Sequence, residues 1–461
     1  MFEAITYQRR RQALREHLGS GIVLLPGNED SPINFAHNTY PFRQDATFSY
    51  FFGIDRPSLV GIIDLDSGTA SIFADEVSLD DAIWLGNDLS LSELCEAGSG
   101  VSLRPSVLAP RCLEVAWKHG RKVHFLPPYR GETALLLSRL TSIAPKLLAS
   151  KASDKLIRAV VALREIKEPC EIEQITRAMR VADQMHRVAM ATTRPGVLER
   201  EVVARMREVL GQEGLQEAYQ PIFSRHGEIL HNLKHDSRLE LGDLVVNDAG
   251  ASSSMGYASD VTRTLPVGGR FLPHQAELYK LLVRVQESAI KSLFPGICYI
   301  DVHREASLQL VEGMTELGFF HGNPADVVES GAYALCFPHG LGHQLGLDVH
   351  DMESLGEDLV GYDEKVSRSQ QFGLGNLRLG KSLKSGMVMT VEPGIYFIPD
   401  LIRRWQAEGR HTDFIQYERF LDYERFGGMR VEDVILLGDK SASILGPNIP
   451  KQLYEVEEAM S

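Results

Sequence analysis

The sequence predicts a mixed α/β (α+β) chain in two parts. An α/β domain occupies residues 1–165, and a larger domain over 166–461 is assembled from two similar helix–strand halves. Three observations carry this. Short apolar runs alternate with helical stretches through the first part. Lys167-Glu168-Pro169 then marks a boundary. Beyond it, one order of elements occurs twice. A chain of 461 residues is long enough for two or three domains.

Composition limits the function classes. Hydrophobic residues make up 44% and charged residues 24% of the chain, as in a soluble globular protein. A net charge of −14 argues against nucleic acid or an anionic membrane as partner, because no basic excess exists to neutralise phosphates. No apolar run approaches the roughly 20 residues of a membrane helix. The opening residues, Met1 to Arg11, do not read as a signal peptide. Five scattered cysteines without a CxxC pair fit a reduced, cytoplasmic protein.

In the first part, Gly21–Leu25, Leu59–Ile63, Ser71–Ala74 and Lys122–Leu126 read as strands, with a helix around Thr133 to Leu140. The aromatic run Phe48–Phe52, led in by Tyr40–Asp45, reads as a packed strand; the other reading is a wall of a substrate entrance. After Pro169 a helix carries Ile172, Ile175, Met179, Ala182 and Met185, and stops at Pro195-Gly196. A second helix follows through Val202, Met206 and Leu210. The pattern recurs from Pro273, with Leu278, Leu281, Leu282 and Val285, a stop at Pro295-Gly296, and a helix through Leu308, Val311 and Leu317. Each helix pair precedes a histidine-bearing segment: His231 in one half, His339 and His343 in the other. Each then gives a strand ending in acid-x-Gly: Gly242–Gly250 matches Gly386–Gly394 position for position. A further strand in each half brings a second acid, Asp260 and Glu432. The Glu-rich end, with Glu455, Glu457 and Glu458, reads as a solvated helix.

The organising stretch runs from Asp248 to Arg263. Leu244–Asp248 and Tyr257–Val261 flank a small polar turn, a hairpin pattern that sets Asp248 and Asp260 side by side. Bare like charges there are unfavourable, so positive charge is expected between them. Asp248, Asp260, His343, Glu392 and Glu432 make four carboxylates and one imidazole, a set suited to Mn²⁺, Co²⁺, Fe²⁺ or Zn²⁺. Burying a charge of −4 unpaired is prohibitive, and two divalent cations cancel it. Along Met429–Leu436, read as one alternating strand, Arg430 and Glu432 share a face, so Arg430 can brace the acids or the substrate. His339-Gly340-Leu341-Gly342-His343 lacks the glutamate of HExxH, and its glycines disfavour a helix. A loop exposing both imidazoles is expected, and His350 adds a third within twelve residues.

These motifs, with Gly346–His350, Thr390–Gly394 and Arg430–Asp433, resemble the pita-bread metallopeptidases, and most closely the Xaa-Pro aminopeptidases (aminopeptidase P). Tyr40–Gln44 is similar to that group's N-terminal domain, so the resemblance spans nearly the whole chain. Methionine aminopeptidases share the metal pattern but generally lack such a domain, and creatinase lacks the ligand set. The resemblance implies a pita-bread catalytic domain with an internal pseudo-twofold repeat, and two divalent metals, most often manganese. Asp248 would chelate one metal, Asp260 and Glu432 would bridge, and His343 and Glu392 would complete the other. His231, His339, His350 and Arg430 fall at positions that line the active site. The reaction implied is attack of a bridging hydroxide on a Xaa-Pro bond of a peptide substrate, with Glu392 as proton shuttle and His350 or His339 steadying the oxyanion. A homodimer or homotetramer is implied. Compared with the family pattern, Glu353–Lys384 and Pro399–Gly427 contain extra residues at the rim of the site. They leave a Xaa-Pro dipeptidase as the nearest alternative, and a non-catalytic peptide-binding relative as a remote one.

Overall fold

The computed structural model describes residues 1–76, 83–84, 86 and 90–461. They form two compact units: Met1–Arg164 with Met352–Val360, and Glu165–Asp351 with Gly361–Ser461.

The first unit centres on a five-stranded sheet in the order Ser102–Arg104, Thr69–Phe73, Val60–Asp64, Ile22–Pro26, Val123–His124. Its inner pairings are antiparallel and its outer two parallel. Ile22, Leu24, Ile62 and Phe73 pack with Leu113, Leu137 and Leu140, which come from the helices Ala109–Lys118 and Gly131–Thr141. The expected strands are present. The aromatic run is not a strand. Ala46–Phe52 is a helix whose N-cap, Asp45, accepts from Phe48 N–H at 2.8 Å. Gly53, at φ 68°, closes it. The cap, together with burial of Phe48, Tyr50, Phe51 and Phe52, overrides the strand preference of aromatic side chains.

The second unit repeats itself as the sequence suggests. Pro169–Thr192 starts with proline in its first turn and a reciprocal Glu168–Glu171 cap, and buries Ile175, Met179, Ala182 and Met185. Glu199–Glu213 packs against it through an apolar face that includes Val202, Met206 and Leu210. In the other half Pro273–Lys291 pairs with Tyr299–Glu316. Each helix pair is followed by a three-stranded antiparallel sheet. One has the order Thr262–Pro266, Leu244–Asp248, Ile222–Ser224; the other has Val388–Val391, Asp433–Leu437, Ala442–Ile444. The halves meet where Glu432 N–H donates to Thr262 O at 3.0 Å and the Thr264 hydroxyl bonds both N–H and C=O of Arg430.

Three details differ from expectation. Leu244–Asp248 pairs with Thr262–Pro266, not with Tyr257–Val261, so Asp248 faces Thr262 and Asp260 lies two residues before the ladder. The turn is wider because Ala251-Ser252 leaves to pair with Gln216-Glu217. Gly250 permits this: a Cβ there would sit 2.0 Å from Ser259 O. Met429–Leu436 is not one strand. Gly428–Arg430 pairs with Gly394–Tyr396, and Asp433–Leu437 pairs with Val388–Val391. Pro393, which lacks an N–H, interrupts the opposing chain at the same level. Finally, the acidic helix Leu453–Ala459 is docked, not simply solvated. Val456 is buried, and Glu457 accepts from Phe271 N–H and pairs with Arg270.

Candidate metal centre

Asp248 ends its strand, Asp260 precedes the next, Glu392 follows Val388–Val391, and Glu432 sits in the break between Arg430 and Asp433. Strand ends and breaks are where side chains from several chain segments can converge. Asp260, His343 and Glu432, all buried, offer ligand atoms within 4.8 Å of one another. His343 Nε2 lies 3.3 Å from Asp260 Oδ2 and 3.5 Å from Glu392 Oε1, which brings Glu392 into the group. Asp248 joins through Tyr219, whose hydroxyl is 2.5 Å from both Asp248 Oδ1 and Asp260 Oδ1.

The histidine segment is a loop, as expected. It is held close to the strand Val388–Val391: His343 N–H donates to the Thr390 hydroxyl, and Thr390 N–H donates to His343 O. A Cβ on Gly342 would come within 2.2 Å of Thr390 O, so only glycine allows this approach. Leu341 N–H donates to Nδ1 of the buried His303 at 3.2 Å. His343 Nδ1 lies 3.0 Å from Gln344 O, which can only accept. Nδ1 therefore carries the proton, and the Nε2 lone pair faces the carboxylates. Burial lowers the His343 pKa and favours this neutral form.

The acids are unequally supplied with protein partners. Arg430 Nη2 reaches Asp248 Oδ2 at 2.5 Å, and Arg430 Nε lies 3.1 Å from the Thr262 hydroxyl. That hydroxyl donates to Glu432 Oε2 at 2.7 Å. Glu432 Oε1 is buried and has no hydrogen-bond partner among the described residues. Burial, followed by the neighbouring carboxylate Asp248, pushes Asp260 up to about 7. Burial likewise raises Glu392, and it raises Glu432 well above its usual range with the other acids adding to the effect. A pocket that resists ionising its own acids, and leaves an oxygen unbonded, is chemically matched to cations. Hard oxygen donors with one imidazole fit divalent first-row metals.

The remaining residues surround this group. His339 donates from Nδ1 to Gly340 O, and its Nε2 lies 2.8 Å from the Tyr396 hydroxyl. Burial lowers its pKa to about 3, so it is neutral and accepts from Tyr396. Tyr396 in turn accepts from Arg430 Nη1 at 2.9 Å. The His350 ring stands 4.4 Å from that of His343, edge to face. His231 is on a loop, where partial burial and then the charge of Arg430 lower its pKa. The structure thus brings Asp248, Asp260, His343, Glu392 and Glu432 together with Arg430, His339 and His350, and leaves His231 on its loop. Sequence reasoning missed Tyr219, Tyr396, Thr390, Thr262 and Arg378. Thr262 and Tyr396 had a signal: each sits an even number of residues from a chosen acid. Tyr219, in Glu217-Ala218-Tyr219-Gln220-Pro221, had none.

Known proteins agree with this architecture. The model of metallopeptidase family M24 matches residues 173–439, and that of the aminopeptidase P N-terminal domain matches residues 7–102. The chain belongs to metallopeptidase family M24, and its second unit has the pita-bread fold. Within that family it is a hydrolase of the Xaa-Pro exopeptidase type. It is 27% identical to Xaa-Pro dipeptidase of Homo sapiens over 99% of this chain and 93% of that one. It is 30% identical to a probable Xaa-Pro aminopeptidase of Fusarium vanettenii over 96% and 92% of the two. Aminopeptidase P from E. coli, solved with the inhibitor Pro-Leu, superposes with a TM-score of 0.81 at 27% identity, covering 100% of this chain and 98% of that one. No helix among the described residues is long and apolar enough to cross a membrane.

Proposed function

We propose that the chain is a Xaa-Pro aminopeptidase, releasing the first residue from peptides with proline in second place, on a site that takes two divalent cations. The observation that carries this is the convergence of Asp248, Asp260, His343, Glu392 and Glu432 around a buried carboxylate oxygen that no described residue bonds. Asp248 would hold one cation and His343 with Glu392 the other, with Asp260 and Glu432 shared between them. Mn²⁺ is the first choice, with Co²⁺, Zn²⁺ and Fe²⁺ as alternatives. When bound, the cations acidify a water and polarise the scissile carbonyl.

The protein's own groups do the rest. Glu392, its pKa raised by burial, is placed to take a proton and pass it to the leaving proline nitrogen. We assign the oxyanion to His350, whose ring stands against that of His343, because both ring nitrogens of His339 hold the surrounding structure. Arg430 orients Asp248, and Tyr396 ties Arg430 to His339. The bond before proline is a tertiary amide without an N–H, so the ring must be read by shape. The acids can also anchor the free N-terminal ammonium and fix cleavage at the first bond. We assign this chemistry to residues 166–461, with 1–165 as the N-terminal domain. All five cysteines are free thiols, which suits the cytoplasm, and we place the enzyme there as a homodimer or homotetramer.

One observation favours the dipeptidase instead. Arg378 lies in the segment Glu353–Lys384, is half-buried, and its charge bears on both His231 and His343. A cation there suits the free carboxylate of a Xaa-Pro dipeptide. Hydrolysis of Xaa-Pro and Xaa-Pro-Xaa-Xaa by Mn²⁺-loaded protein separates the two. Release of the first residue from the longer peptide supports the aminopeptidase; activity confined to the dipeptide, lost in Arg378→Ala, replaces it with the dipeptidase.

A further inference from the structure

Lys167, two residues before the helix Pro169–Thr192, is a buried cation that no step above uses. Its Nζ lies 2.8 Å from Asp351 Oδ2, and both side chains are 1% exposed. Asp351 directly follows His350. Its backbone N–H donates to Gln344 O at 2.9 Å, and its Oδ1 accepts from Asp348 N–H at 3.3 Å. Asp351 therefore closes the 344–351 loop through its backbone and braces its last turn through its carboxylate, in a segment that begins beside His343 and ends beside His350. Lys167 is itself fixed, because its backbone N–H donates to Gly386 O at 2.9 Å, two residues before the strand Val388–Val391 that leads to Glu392. The loop is shaped around the pair: a Cβ on Gly346 would lie 2.6 Å from Asp351 Oδ2 and 3.0 Å from Lys167 Cε.

A buried ion pair seldom adds stability over a well-packed apolar pair. What it imposes is geometry, since each charge is satisfied in only one arrangement and a misplaced one is left bare in the interior. We propose that Lys167, acting through Asp351, is a positioning residue that sets the imidazole of His350 against the scissile carbonyl. This rests on the Xaa-Pro hydrolase reading with His350 at the reacting bond.

A double-mutant cycle tests it: kcat for the unmodified enzyme, Lys167→Met, His350→Ala and the double variant, each Mn²⁺-loaded, on Xaa-Pro-Xaa-Xaa. Lys167→Met should lower kcat roughly ten- to a hundredfold, as expected for a misplaced reacting group. The same change should cost almost nothing once His350 is gone, and the metal content of all four proteins should be equal. If Lys167→Met does not fold, Gly346→Ala displaces the Asp351 carboxylate with every charge kept, and the same cycle applies. Equal losses in both backgrounds would overturn the proposal while leaving the functional reading intact. An unmodified enzyme that cleaves no Xaa-Pro peptide would overturn both.

Discussion

In the first half of the catalytic unit, Asp248 ends an unbroken ladder, and both of its oxygens are taken by protein: Oδ1 by Tyr219 and Oδ2 by Arg430. In the second half, the matching ladder breaks on both strands, at Glu392-Pro393 and at Val431-Glu432. There Glu432 keeps one oxygen without a hydrogen-bond partner among the described residues, and Glu392 accepts from the Thr390 hydroxyl beside the His343 ring. The repeat supplies acids at matched positions, but the two halves satisfy them differently. In the first half Asp248 is pinned by protein on both oxygens; in the second, Glu432 is bonded on one oxygen only among the described residues.

The contrast is open to direct attack, and Asp260 is the place for the largest effect, because it lies within ligand distance of both His343 and Glu432. Asp260→Ala should abolish turnover and remove one of two metals, read by elemental analysis alongside peptide hydrolysis. Full activity would sink the assignment. Arg430→Ala comes next. It leaves Asp248 without its buried counter-charge and frees Tyr396, and kcat should fall by about 10²–10³. Arg430→Lys should recover little, since one ammonium cannot serve Asp248, Tyr396 and Thr262 together. Tyr219→Phe is smaller. It removes the hydroxyl shared by Asp248 and Asp260, and metal affinity should weaken by roughly 10–100-fold by calorimetry. An unchanged affinity would mean that the first half does not need pinning.

The smallest effect is in the pH dependence of the metal-stripped protein. Asp260 is pushed up to about 7, with burial as the main cause. Its unfolded value is near 4. Between these values the folded chain binds more protons than the unfolded one, so stability falls as pH rises from about 4 to 7. The Tm of metal-stripped protein should therefore drop across that window, and Mn²⁺ should remove the drop. A flat Tm without metal would show that the acids are already neutralised by protein.

Much of this was legible in the sequence, for reasons that also explain the failures. Helical stripes such as Ile175, Met179, Ala182 and Met185 survive because their spacing is the packing. The matched acid-x-Gly strands were visible because a repeated element order outlasts side-chain identity. The hairpin partner was misplaced because Ala251-Ser252 pairs with Gln216-Glu217, some 35 residues earlier, a non-local contact that no window reveals. Phe48–Phe52 deceived because its composition favours a strand, while the Asp45 cap and the burial of its aromatic rings set a helix. Tyr219 could not be found: it carries no pattern, and the fold alone brings its hydroxyl between two acids.

The contrast between the two halves rests on five donors taking two divalent cations. Its most direct test is a calorimetric titration of metal-stripped protein with Mn²⁺ near pH 6. Two cations per chain are predicted, with protons released as Asp260, Glu392 and Glu432 ionise. Binding of one cation or none, by protein shown to be folded, would rule out a two-cation site.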